Sequence, residues 1–197
     1  LESQELVAIN KMAEAFSPKK ANPKEATNAI GLKDQLAAHF GERNSGMYPW
    51  KGYAGFRFVN ARGDEGEFDL VIVTHCNIII VELKDWNRYP ITSQGDNWFH
   101  GDRMDRSPVS VTRKKLYTLK EKVNKVKHRL TNKGFTPFLE FYVVMTGDSD
   151  FSQLPEEEKR HVVSIDEFLK LSDEREFDKR FNRVHRNAKV LNKDFAV

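Results

Sequence analysis

Residues 66–86 read GEFDLVIVTHCNIIIVELKDW, and their patterning decides the fold. Phe68 to Thr74 and Asn77 to Leu83 are two runs rich in Val and Ile around a tight connection at His75-Cys76, which predicts a β-hairpin. The second run is apolar enough for a central strand. Asp69 in the first strand, and Glu82 and Lys84 in the second, interrupt this apolar pattern. Side chains alternate along a strand, so Glu82 and Lys84 share a face. With the turn centred between His75 and Cys76, Asp69 lies directly opposite Glu82, and opposed Cβ atoms are roughly 4.5–5.5 Å apart. A three-residue turn that took in Asn77 would shift the pairing by one and send Asp69 to the other face.

Like charges facing each other destabilise a sheet, and ionised groups in an apolar strand need partners. A divalent cation between the two carboxylates removes the conflict. Mg²⁺ suits such a site, with one or two carboxylates, retained waters and phosphate oxygens. It would polarise a phosphodiester and lower the pKa of a bound water. Asp69 and Glu82 are then metal ligands, and Lys84 orients the attacking water or stabilises the phosphoryl oxygens. Glu67, two residues before Asp69, is an accessory candidate for an outer-sphere role. The competing reading is a structural ion pair between Glu82 and Lys84.

Outward from the hairpin, Leu6, Ile9, Met12, Ala13 and Phe16 recur at helical spacing over residues 3–16, and Ser17-Pro18 ends that helix. A second helix is expected from Asn22 as N-cap and Pro23 through Ala37 and Phe40, closed by Gly41. Tyr53 to Asn60 reads as a strand and Ala61 to Asp64 as a turn. Asp85 to Pro108 is polar and rich in breakers, with Trp98-Phe99 as an apolar island. A long amphipathic helix from Val109 to Leu130 follows, with Leu116, Leu119, Val123, Val126 and Leu130 on one stripe. Phe138 to Met145 is a strand, and a right-handed crossover lays it parallel to the second hairpin strand. Val162-Val163 is a short strand, Asp166 starts a short helix, and residues 173–189 read as a charged surface helix. The order predicts an α/β domain with a mixed sheet flanked by helices.

The 197 residues carry 32 Lys+Arg and 29 Asp+Glu, a net charge of only +3, so distribution matters more than total. Arg113, Lys114 and Lys115 open a basic face on the long helix, which Arg103 and Arg106 extend; these five are the candidate phosphate contacts. Lysine enrichment for solubility is the bland alternative. Tyr48, Trp50 and Tyr53 pack a lid over the core or stack on bases. One cysteine, Cys76, excludes an intrachain disulfide, and the six histidines show no zinc-ligand spacing. A single cysteine makes a reducing, cytoplasmic setting the expectation; no run is long enough to span a membrane, and no signal peptide opens the chain. A start at Leu1 rather than Met is consistent with a piece of a longer protein.

At the hairpin the sequence resembles the nuclease-related domain (NERD) family of the PD-(D/E)XK nuclease superfamily. Its Gly-Glu-aliphatic-Asp, aliphatic strand, turn and aliphatic-Glu-x-Lys-x-Trp are similar to Gly66-Glu67-Phe68-Asp69 through Glu82-Leu83-Lys84-Asp85-Trp86. Asp96-Asn97-Trp98 is similar to its short Trp-containing strand, and Ser107-Pro108-Val109 to its Asn-Pro-aliphatic helix start. The resemblance implies a restriction-endonuclease-like αβββαβ core over residues 23–172, after an N-terminal helical extension (1–22) and before a charged C-terminal helix (173–197) leading toward a downstream domain. It implies Mg²⁺- or Mn²⁺-dependent DNA processing, the backbone carbonyl of Leu83 as a further metal ligand, and fusion to or association with helicase- or kinase-like domains. Homodimers are common in this fold class. The glutamine frequent in the helix after the motif is missing, since Ser110, Thr112, Arg113 and Lys114 stand there. An acid in the N-terminal helix is also usual, and Asp34 and Glu25 are the candidates. The rival expectations are a degenerate module that binds nucleic acid without cutting, and a regulatory or assembly element of a multidomain protein.

Overall fold

In the computed structural model, residues 3–16, 37–38, 51–60, 62–74, 77–130 and 137–187 are described. Strands β3 (Glu65–Val73) and β4 (Asn77–Lys84) form the expected antiparallel hairpin. Leu70 pairs with Val81 and Val73 with Ile78, the register of a two-residue turn. The Thr74 amide donates to the Asn77 carbonyl at 2.9 Å and its hydroxyl to Asn77 Oδ1 at 2.5 Å, closing the turn from both sides. His75 and Cys76 themselves lie outside the described residues.

Around this hairpin, β1 (Ala37–Ala38), β2 (Lys51–Val59), β8 (Phe138–Met145) and β9 (Val162–Ser164) complete a six-stranded sheet of order β1-β2-β3-β4-β8-β9. β8 runs parallel to β4, as the crossover through helix α2 (Pro108–Leu130) predicts. Every residue of β4 from Asn77 to Leu83 is buried, which explains its unbroken apolar run. The second helix expected between Asn22 and Gly41 is corrected at Ala37 and Ala38, which pair with Tyr53 and Gly52 as a short edge strand. Alanine is at home in a helix, and only the free edge of β2 draws it into a strand. The rest of that segment, with Glu25 and Asp34, lies outside the described residues, as do Tyr48 and Trp50.

The stretch after β4, read as breakers and an apolar island, is a second, three-stranded antiparallel sheet: β5 (Ile91–Gln94), β6 (Asn97–His100) and β7 (Arg103–Arg106). Its strands are four residues long, too short for periodicity to register. Trp98 is fully buried, and its indole donates at 2.8 Å to Oε2 of Glu158, on the short helix α3 (Glu156–Lys159). The other oxygen of Glu158 accepts from the Ser107 hydroxyl at 2.6 Å, and Ser107 Oγ accepts the Ser110 amide in the first turn of α2.

Helices cover both faces. On one, Leu70, Ile72, Ile79, Val81, Leu83 and Val144 pack under α1 (Ser3–Phe16), α4 (Ile165–Leu169) and α5 (Glu174–Asn187). On the other, Val71, Ile78, Ile80, Phe141, Val143 and Met145 meet Val109 and Val123 of α2 and Ile91 and Trp98 of the small sheet. Both terminal helices join the core. Ala8, Ile9 and Met12 are buried, and Phe177 and Phe181 of the stretch expected on the surface are 1% exposed. α5 is amphipathic, its charges masking two aromatic anchors. Burying such a ring contributes about 1.5–3 kcal/mol. The arrangement is compatible with a restriction-endonuclease-like fold. None of the helices among the described residues is long and apolar enough to cross a membrane.

Candidate active site

Asp69 and Glu82 are the next residues beyond the last β3–β4 partner pair, Leu70 with Val81; they are not themselves paired, but the Glu82 charge acts on the Asp69 carboxyl. The ladder stops there for a reason. Partner pairs between β2 and β3 skip Gly55 and Asp69, and Gly55 adopts φ 60°, a left-handed conformation natural to glycine. The sheet is locally distorted, and the Asp69 carboxylate supplies an acceptor: Asp69 Oδ2 takes the Leu83 amide at 2.7 Å. The same distortion places Phe68 in the cluster under α2 while Leu70 joins the opposite one.

Both carboxylates are buried, at 9% exposure for Asp69 and 7% for Glu82. Burial pushes the Asp69 carboxyl up to about 7, and the neighbouring Glu82 charge adds to the rise. The Leu83 amide and Lys115 oppose it, while Glu5 of α1 contributes further repulsion. Glu82 carries two ammonium partners, Lys84 Nζ at 3.3 Å from Oε1 and Lys115 Nζ at 2.6 Å from Oε2. Lys84 is held at its backbone, where its carbonyl accepts the Thr146 amide at 2.9 Å.

The chain after Lys84 is pinned by aromatic and loop contacts. The Trp86 carbonyl accepts the Ser149 amide at 3.1 Å, and its ring stacks on His100 at 5.2 Å and meets Trp98 edge-on at 5.9 Å. Gly147 passes so close that a Cβ there would lie 2.0 Å from the Trp86 oxygen. Glycine is required by approach, not by φ.

The remaining sequence candidates separate. Glu67 pairs with Arg57 across β2 and β3 at 3.3 Å, at the solvent edge. Arg103, Arg106 and Lys114 are exposed, and Arg103 is bound to Asp105 at 2.5 Å. Arg113 is half-buried and acts electrostatically on His161. Asp34 lies outside the described residues. The expectation of Lys115 on an exposed basic face is corrected: its side chain is 17% exposed and lies against Glu82. The available signal was its spacing. Thr112, Lys115, Leu119 and Val123 fall on one helical face, and a lysine among inward positions points at a buried partner. Glu5 shares that property, three and four residues before the buried Ala8 and Ile9.

The NERD family profile matches residues 32–146, more than half of the chain, with the hairpin and α2 inside the match. The chain belongs to the nuclease-related domain family. Comparison with curated proteins and with solved structures returned no match. The match spans β1 to the end of β8 and Thr146, so α1 and α5 of this NERD protein, both buried against its core, lie outside it.

The donor set suits some divalent cations and not others. Among the described residues no three His, Cys, Asp or Glu side chains gather as a ligand group. Two buried carboxylate groups fit Mg²⁺ or Mn²⁺, which complete their shells with water and phosphate oxygens. Burial first, and then the Glu82 charge, hold the Asp69 carboxyl at about 7, a cost that a cation between the two carboxylates would offset. These residues fit the cation.

Proposed function

We propose that this NERD domain is a metal-dependent nuclease that hydrolyses phosphodiester bonds in DNA. The observation that supports it most is the convergence of buried Asp69 and Glu82 with Lys84 at the end of the central hairpin. Asp69, Glu82 and the Leu83 carbonyl would hold Mg²⁺ or Mn²⁺. That ion, when bound, supplies Lewis-acid polarisation of the phosphodiester and an acidified water.

The chain's own groups do the rest. Asp69 is oriented by the Leu83 amide, so its carboxylate is fixed before any ligand arrives. Glu82 stands on the most buried strand and cannot swing without repacking β4. Lys84, 29% exposed at its side chain, is the ammonium open enough to meet a phosphoryl oxygen or to orient the attacking water. Exposed Arg103, Arg106 and Lys114, with Arg113, are the proposed backbone contacts to DNA. A homodimer, or a fused or associated helicase- or kinase-like domain, fits the same reading.

The test is nicking of supercoiled plasmid by the purified chain with Mg²⁺ or Mn²⁺, beside Asp69→Ala and Lys84→Ala. Metal-dependent nicking that both substitutions abolish in folded protein is the expected result. A folded, inactive wild-type chain that still binds DNA would instead establish a binding module.

A further inference from the structure

Both oxygens of Glu82 are occupied by lysine nitrogens, and the shorter contact comes from a helix rather than from the motif. Lys115 reaches Glu82 Oε2 at 2.6 Å from two turns into α2, and both side chains are largely buried, at 17% and 9% exposure. Lys84, by contrast, sits 3.3 Å from Oε1 on the same strand. A divalent cation ligated by Glu82 needs an oxygen lone pair, and it repels any ammonium already there. The two cations compete for one carboxylate. Lysine suits exchange: it is a point charge on a flexible four-carbon stem, without the fixed fork of arginine.

We propose that Lys115 is the stand-in cation of this site, neutralising Glu82 while no metal is bound and yielding Oε2 when a divalent ion enters. The inference rests on the nuclease reading above and adds a residue outside the Asp69, Glu82, Lys84 set. Released from Glu82, the Lys115 ammonium is free for a phosphate oxygen of the nucleic acid. Metal entry and phosphate capture are thereby coupled through one side chain. An ion pair that served only the fold would persist beside the bound metal, and its removal would leave the metal-dependent affinity for a phosphate oxygen unchanged.

The experiment is calorimetric titration of Mn²⁺ into wild type, Lys115→Gln and Lys115→Arg, without nucleic acid, with circular dichroism to confirm folding. Lys115→Gln should bind Mn²⁺ about tenfold more tightly than wild type, a change of about 1.4 kcal/mol. Lys115→Arg, which grips a carboxylate with a bidentate fork, should bind it more weakly than wild type. The opposite signs keep the test decisive if one variant fails to fold. With Mn²⁺ present, Lys115→Gln should also lose affinity for a non-cleavable phosphorothioate oligonucleotide. Equal Mn²⁺ affinity in wild type and a folded variant overturns the stand-in role and leaves the nuclease reading standing. No Mn²⁺ binding by any folded form at millimolar concentration overturns both.

Discussion

Replacing Asp69 by Asn should stabilise the metal-free protein, and by more as pH rises. The wild-type carboxyl ionises near 3.8 in an unfolded chain and at about 7 in the fold, because burial and Glu82 disfavour its charge. Its folded-state pKa is raised, so the carboxyl costs nothing well below 3.8. The penalty grows as pH climbs from there and is complete once pH passes about 7. At about 1.36 kcal/mol per pH unit, the full interval is worth about 4 kcal/mol, with about 1 kcal/mol of it expressed by about pH 4.5. The amide side chain of the variant keeps an oxygen for the Leu83 N–H, so the hydrogen bond at 2.7 Å survives while the charge does not. Urea unfolding of both proteins in EDTA at about pH 4.5 and about pH 8.5 measures the difference. Glu140, half-buried beside Asn77 and likewise raised to about 7, imposes the same pH slope on both and cancels. A gain for Asp69→Asn of about 2–4 kcal/mol at the alkaline end, shrinking toward acid, is expected. A gain that is flat with pH, or a variant less stable than wild type at about pH 8.5, would refute the electrostatic account of this site.

Two further predictions concern what holds the site in place. Gly147→Ala forces a Cβ to within 2.0 Å of the Trp86 carbonyl, so the loop that straps Lys84 and Trp86 must move. A loss of about 2–4 kcal/mol in denaturant unfolding is expected, with nicking activity reduced more than DNA binding; unchanged stability would show that the loop yields freely. Phe181→Ala empties a position 1% exposed between α5 and the sheet. It should cost about 3–5 kcal/mol in one cooperative transition, whereas a separate, early transition of α5 would show that helix to be an appendage.

Much of the candidate site was legible because a hairpin is a local object. Alternation and a two-residue turn suffice to bring Asp69 near Glu82 and to put Lys84 on the face of Glu82, and the sheet keeps that register as far as Leu70 and Val81. The bend at Gly55 was not legible, since it depends on how β2 meets β3. Nor was the small sheet. Its four-residue strands carry no clear period, and what organises them is Trp98 and Glu158, 60 residues apart in sequence.

By itself, then, the sequence determined the central strand, the crossover that lays β8 parallel to it, and the converging acids, because those follow from nearest-neighbour periodicity and chirality. Only the tertiary structure decided which charges of α2 and α1 turn inward. Helical spacing shows that Lys115 shares a face with Leu119, but a buried lysine is stable there only because packing α2 on the sheet delivers it to Glu82. The same holds for α5, whose charged sequence reads as surface until Phe177 and Phe181 meet the sheet, and their burial drives the contact.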